Sequence, residues 1–158
     1  MNKNILRRYS AYIFILISAL YFCTEKNPIK IGFAGGLTGI HSDLGIAGRN
    51  GALLAVEEIT SAGGIKGRPV VLITKDDQQD PVAALKVDKE LIDEGVVAII
   101  GHMTSVMTMS VIPFINKSEI LMISPTTSTN ELTNIDDYFF RTLPANKDET
   151  DAELPLKA

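Results

Sequence analysis

Two apolar segments of this chain each open into a loop crowded with hydroxyl groups. Val96–Ile100 leads into Gly101-His102-Met103-Thr104-Ser105, and Ile120–Ile123 leads into Ser124-Pro125-Thr126-Thr127-Ser128-Thr129. Neither loop carries Lys or Arg. Neutral donors of this kind suit a small polar molecule better than a phosphate-rich cofactor, which favours binding over catalysis. Ser105 stands at a predicted helix N-terminus, where free N–H groups and the helix dipole attract a negative group; Ser128 is placed to act likewise. Together they would hold a carboxylate without any Arg. The same residue types are also ordinary caps and turn formers, and on residue type alone both readings stay open.

Other constellations point to less. Gly32, Gly35, Gly36 and Gly39 follow an apolar strand but miss the G-x-G-x-x-G spacing. The acid at the end of the next strand, Asp76, comes about forty residues on, where a dinucleotide fold places it about twenty on. A small nucleotide-dependent enzyme is therefore an alternative without its phosphate loop. Asp76, Asp77 and Asp80 can in principle hold a hard cation. They serve equally as strand-end acids and a helix cap, so no metal and no cofactor is expected. His102 at the mouth of a strand has the chemistry of a general base. No Ser–His–Asp or Cys–His spacing supports it, and a structural role is expected for both His102 and His41.

The elements that must carry these loops follow an alternating pattern. The chain has 158 residues, 46% hydrophobic and 22% charged, which is enough for about one domain with a buried core. Its net charge of −4 falls to about −7 without Lys3, Arg7 and Arg8, so no nucleic-acid partner is expected. Those three residues precede Tyr9–Phe22, an uncharged run of 14 residues. As a helix it would rise about 21 Å against a hydrocarbon core of roughly 30 Å, which reads as an export signal over residues 1–22. Cys23, the only cysteine, follows directly and sits as the lipid-modified cysteine of bacterial lipoproteins does, although Phe22 stands where a small residue is usual. A buried or incidental thiol is the alternative.

Beyond a polar junction at 23–28, strands are predicted at Ile29–Ala34, Pro69–Thr74, Val96–Ile100, Ile120–Ile123 and Tyr138–Thr142. Helices are predicted over Asp43–Ala62, from Asp80-Pro81 to Gly95, and over Ser105–Asn116, with Pro113 kinking or shortening the last. The first helix is expected to pack through Leu44, Ala47, Gly48, Gly51, Ala55, Ile59 and Ala62, and the second through Ala84, Val87 and Leu91. Gly63-Gly64 ends the first. Such alternation predicts an α/β fold, an open doubly wound parallel sheet. With strand order 2-1-3-4-5, the loops at Gly35–Leu44, Gly101–Ser105 and Ser124–Ser128 converge on one rim.

From Ile29 to about Ala145 the sequence resembles the first lobe of the leucine/isoleucine/valine-binding family of periplasmic solute-binding proteins. The resemblance is carried by Ile31-Gly32, Leu37-Thr38-Gly39, Gly45 and Gly51-Ala52. It continues through Gly63-Gly64-Ile65-Lys66-Gly67-Arg68, Asp76-Asp77-Gln78-Gln79-Asp80-Pro81, Ile100-Gly101-His102, Ile123-Ser124-Pro125 and Phe140-Arg141-Thr142. It implies a two-lobed, non-enzymatic binder, exported to the periplasm or the outer membrane face, that closes on an amino acid or related carboxylate and passes it to an ABC-type permease. It further implies that Ser105 and Ser128 hold the ligand carboxylate and that Thr126 offers its backbone carbonyl to the amine. Leu44 stands where the pocket often has an aromatic, and Asn146 near where it has an acid. Residues 29–145 would form the ligand-binding lobe, and 146–158 the crossover and truncated start of a second. The ligand-sensing region of a membrane receptor is the alternative from another class.

Overall fold

The computed structural model describes residues 26–40 and 42–146. The readings placed on 1–22, Cys23, His41 and 147–158 fall outside these residues. Five strands form one sheet: β1 (Ile29–Gly35), β2 (Val70–Asp76), β3 (Ala98–Ile100), β4 (Leu121–Ser124) and β5 (Phe139–Arg141). Their order is β2-β1-β3-β4-β5, and every neighbouring pair is parallel. Three helices connect them: α1 (Ser42–Ser61), α2 (Pro81–Asp93) and α3 (Ser105–Ser118). A short 3-10 turn at Asn130–Leu132 lies between β4 and β5.

Alternation along β1 assigns the two faces. A Cβ on Gly32 would meet Leu91 of α2, whereas Phe33 lies beside Gly48 of α1. The helices therefore cover opposite sides, as right-handed crossovers require. Most of the core lies on the α2–α3 side, where Ala84, Val87, Leu91, Ile99, Met107, Val111, Ile115 and Met122 are buried together. This is the stripe expected for α2, and Asp88 is buried within it. The Asp80 carboxylate accepts the N–H groups of Val82 and Ala83 with Pro81 in the first turn, the arrangement that Asp-Pro predicts. Gly64 and Gly63 donate to the carbonyls of Ile59 (2.9 Å) and Thr60 (3.0 Å), a Schellman end to α1.

Several boundaries and one face differ from expectation. β3 begins at Ala98 because the Val96 N–H still turns back to the Leu91 carbonyl. β2 extends to Asp76, pairing with β1 throughout. Pro113 does not shorten α3: it is exposed, and the buried Val111, Ile112 and Ile115 hold the helix on to Ser118. The packing face of α1 is rotated from the expected one. Gly45 is its buried residue, with Gly48, Ala52 and Val56 half-buried behind it, while Leu44, Ala47, Gly51, Ala55, Ile59 and Ala62 are exposed. The reason is steric, because α1 touches the β1 exit at Gly45, where a Cβ would lie 2.0 Å from the Gly36 carbonyl oxygen. At the opposite end of the sheet, Arg68 donates to the carbonyls of Asn27 (2.8 Å) and Pro28 (3.3 Å) ahead of β1.

Candidate functional site

The carboxyl ends of β1, β3 and β4 meet on one rim, as the strand order requires. The loop leaving β1 is tied down by Asp76 at the end of β2. Its carboxylate accepts the Leu37 N–H (2.8 Å), the Thr38 hydroxyl (2.6 Å) and the Gln78 N–H (2.9 Å). Burial pushes this carboxyl up, but the hydrogen bonds from Thr38, Leu37 and Gln78 outweigh it and hold it below its ordinary 3.8. The Gln79 side-chain amide adds a bond to the Ile40 carbonyl at 2.5 Å. Asp76 fixes a loop, Asp80 caps α2, and Asp77 turns inward. The three acids thus serve separate structural ends rather than one cation.

Three hydrogen bonds rung the β3 and β4 exit loops together in register. The Ser124 hydroxyl faces the His102 carbonyl at 2.7 Å, Thr126 Oγ1 donates to the Met103 carbonyl at 2.7 Å, and the Ser128 N–H donates to Ser105 Oγ at 3.3 Å. Behind them Thr127 Oγ1 sits 2.7 Å from Thr108 Oγ1 and 2.8 Å from Ser124 Oγ, fully buried. Hydroxyls that look interchangeable in sequence therefore divide into two sets. Ser124, Thr127 and Thr108 are buried cement, whereas Ser105, Thr126 and Ser128 are half-buried at the rim. Ser105 is the first residue of α3, with Thr104 as its cap. The leading amides of a helix have no partner inside it, and together with the dipole they favour a negative group there.

Beneath the rim, His102 is sealed at 0% exposure between two acids. Nδ1 lies 2.7 Å from Asp77 Oδ2 and Nε2 lies 3.2 Å from Asp88 Oδ2. Burial alone pushes the imidazole pKa down. Hydrogen bonds to Asp77 and then Asp88, with the charges of both carboxylates, outweigh it and raise the pKa from 6.5 to about 9. The ring is therefore a doubly donating imidazolium at neutral pH, with no path to a substrate, and the structural role expected for it holds. Its partnership with Asp77 and Asp88 is not evident from spacing. One signal is present: Asp88 falls on the Ala84–Val87–Leu91 stripe, and a buried carboxylate demands a cation.

The rim brings together four of the five ligand-binding residues expected from sequence. Ser105 and Ser128 are bonded to each other, the Asn146 N–H donates to the Ser128 carbonyl at 2.9 Å, and Thr126 joins the same two loops. Leu44 is not part of that set; it is 40% exposed in the first turn of α1. Arg141 supports the β4 exit from below, donating to the Thr129 carbonyl and the Thr133 hydroxyl, each at 2.6 Å. A separate surface cavity of about 490 Å³ lies beside edge strand β2, lined by Lys75, Asp76, Asp80, Lys86 and Glu90 among others. Lys75 and Lys86 there pair with Glu90, at 3.1 and 3.9 Å, and the cavity is not on the β3–β4 rim.

Known proteins resemble this chain in sequence and fold. The family described as periplasmic binding protein matches residues 28–155. A leucine-, isoleucine-, valine-, threonine- and alanine-binding protein of Pseudomonas aeruginosa is 35% identical over 113 residues, 72% of this chain and 30% of the relative. A leucine-specific-binding protein of Salmonella typhimurium is 35% identical over 107 residues, 68% of this chain and 29% of the relative. Among solved structures, the branched-chain amino acid transporter substrate binding protein of Streptococcus pneumoniae, in complex with isoleucine, superposes with a TM-score of 0.72. That match has 33% identity and covers 75% of this chain and 34% of the other. The chain thus spans about a third of the length of these relatives, the share that fits a first lobe. It belongs to the periplasmic binding protein family.

Proposed function

We propose that this chain is the first lobe of an exported, non-enzymatic solute-binding protein that supplies an amino acid or related small carboxylate to an ABC-type permease. The observation that carries the reading is the Ser105–Ser128 pair, 3.3 Å apart at the N-terminus of α3, in loops without Lys or Arg. A carboxylate is the anion such a site suits, since hydroxyls, free amides and a dipole supply partial charges but no full cation. The relatives named for leucine, isoleucine and valine, and the one solved with isoleucine, support the ligand class. In this reading Thr126 gives its backbone carbonyl to the ligand amine and Asn146 lines the approach, while Leu44 lies apart in the first turn of α1.

The test is a nuclear magnetic resonance titration of the chain with isoleucine and with isoleucinol, which lacks the carboxylate. Isoleucine is expected to shift the amides of Ser105, Val106 and Ser128, and isoleucinol to leave them in place. Affinity is expected in the millimolar range because one lobe buries only part of the ligand. Ser105→Ala and Ser128→Ala should each weaken binding about tenfold, the worth of a hydrogen bond to a charged group. Unchanged affinity in both variants, or no saturable shift at these amides, overturns the assignment.

Export through the segment before Lys26, with a lipid on Cys23, belongs to the same proposal. Mass spectrometry of the protein recovered from its host membrane should find an acylated Cys23 at the new N-terminus. Cleavage at another residue rejects the anchor.

A further inference from the structure

The first of the three loop rungs runs through the main chain of His102, whose carbonyl faces the Ser124 hydroxyl at 2.7 Å and Thr108 Oγ1 at 3.4 Å. The ring of the same residue is clamped from the other side, by Asp77 in the β2–α2 turn and Asp88 on α2. Thr108 on α3 and Ser124 on β4 reach the carbonyl rather than the ring, and among the described residues the ring's ion pairs are those with Asp77 and Asp88. One residue therefore joins a buried charge cluster to the loops of the rim.

We propose that His102 is a positioning residue: its ring, gripped by Asp77 and Asp88, sets the spacing of the β3 and β4 exit loops and with it the Ser105–Ser128 bond. Its bearing on ligand rests on the reading of the rim as the binding site, but its test does not. An imidazolium donates two N–H groups, one to Asp77 Oδ2 and one to Asp88 Oδ2, while Asp88 Oδ1 stays buried without a hydrogen-bond partner. A neutral ring has one donor and one lone pair, and that lone pair facing a carboxylate oxygen is repelled. The longer bond, to Asp88, gives way first. The ring then pivots on Asp77, the His102 carbonyl moves, and the rungs at Ser124, Thr126 and Ser128 shift with it.

The experiment is a pH titration of the full, ligand-free chain by nuclear magnetic resonance, following the His102 ring nitrogens and the Thr127 and Ser128 amides. The Ser128 amide is expected to titrate with the same alkaline midpoint as the ring. Asp88→Asn removes one of the two acceptor charges and should move both midpoints together toward lower pH, by at least a tenfold change in proton affinity. A purely structural histidine would leave Ser128 flat while the ring titrates, and that result overturns the proposal. So does a ring that keeps both protons until the chain unfolds. If Asp88→Asn does not fold, the unmodified chain decides alone. Failure here with the isoleucine shifts intact leaves the ligand reading standing, and the converse outcome leaves the positioning role in place.

Discussion

Gly45→Ala is expected to destabilise the protein by about 3 kcal/mol, at the upper end of what overpacking costs. The added methyl would sit 2.0 Å from the Gly36 carbonyl oxygen and 2.7 Å from its carbon, both backbone atoms that cannot swing aside. Relief requires levering α1 away from the β1 exit, the loop that delivers Leu37 and Thr38 to Asp76. Gly51→Ala on the same helix is the internal control. Nothing lies within 4 Å of its Cβ position, so helix propensity alone acts, and a gain of about 1 kcal/mol is expected. Equilibrium urea unfolding of the two variants should therefore give midpoints displaced in opposite directions. Equal displacement would mean that α1 does not approach the sheet at Gly45.

His102→Ala should cost about 3–5 kcal/mol at neutral pH, because it strands two buried carboxylates without a counter-charge. The unmodified protein carries the complementary signature. His102 has its folded pKa raised from 6.5 to about 9, so its contribution is fully present below about pH 6.5 and is lost as pH rises through about 9. The shift corresponds to about 3 kcal/mol. Unfolding midpoints measured from slightly acid to alkaline pH should decline over this window, and a flat profile would show that the ring is not charged in the folded state.

Much of the fold is legible in the sequence where a single physical cause dominates. Asp80-Pro81 caps α2 because an acceptor side chain and a residue without an N–H both suit that position. The Ala84–Val87–Leu91 stripe buries because only one side of α2 is apolar. α1 is different. Two stripes at helical spacing compete, one running from Leu44 through Ala55 to Ala62 and one through Gly45, Gly48, Ala52 and Val56, both rich in small residues, so local spacing does not choose between them. The sheet selects the second because close approach needs Gly45, a requirement set by the Gly36 carbonyl far outside any local window. Leu53 and Leu54 consequently remain 43% and 56% exposed.

The rim shows the same division. Convergence of the exit loops follows from strand order, and Ser105 and Ser128, the two residues singled out by the hydroxyl pattern, lie side by side there, with Thr126, which the family resemblance adds, bridging the same loops. The splitting of those loops into buried cement and half-buried rim depends on alternate residues bridging two segments about twenty positions apart, which no spacing rule encodes. The Asp77–His102–Asp88 cluster is hidden for a similar reason. Its members lie on three separate elements: Asp77 resembles a turn acid and His102 a loop histidine, and only Asp88, set on the apolar stripe of α2, betrays the cluster in sequence.

All five strands run the same way, so the sheet has a polarity from end to end. β1 spans seven residues, about 23 Å, from Ile29 to the rim. Whatever precedes Lys26 departs at the far pole, beside the Arg68 clamp on Asn27 and Pro28. The amino end of the described residues and the open rim thus stand at opposite poles, one sheet's length apart. A pull applied through Lys26 would load β1, flanked by β2 and β3, in shear along two ladders of hydrogen bonds rather than by peeling an edge strand.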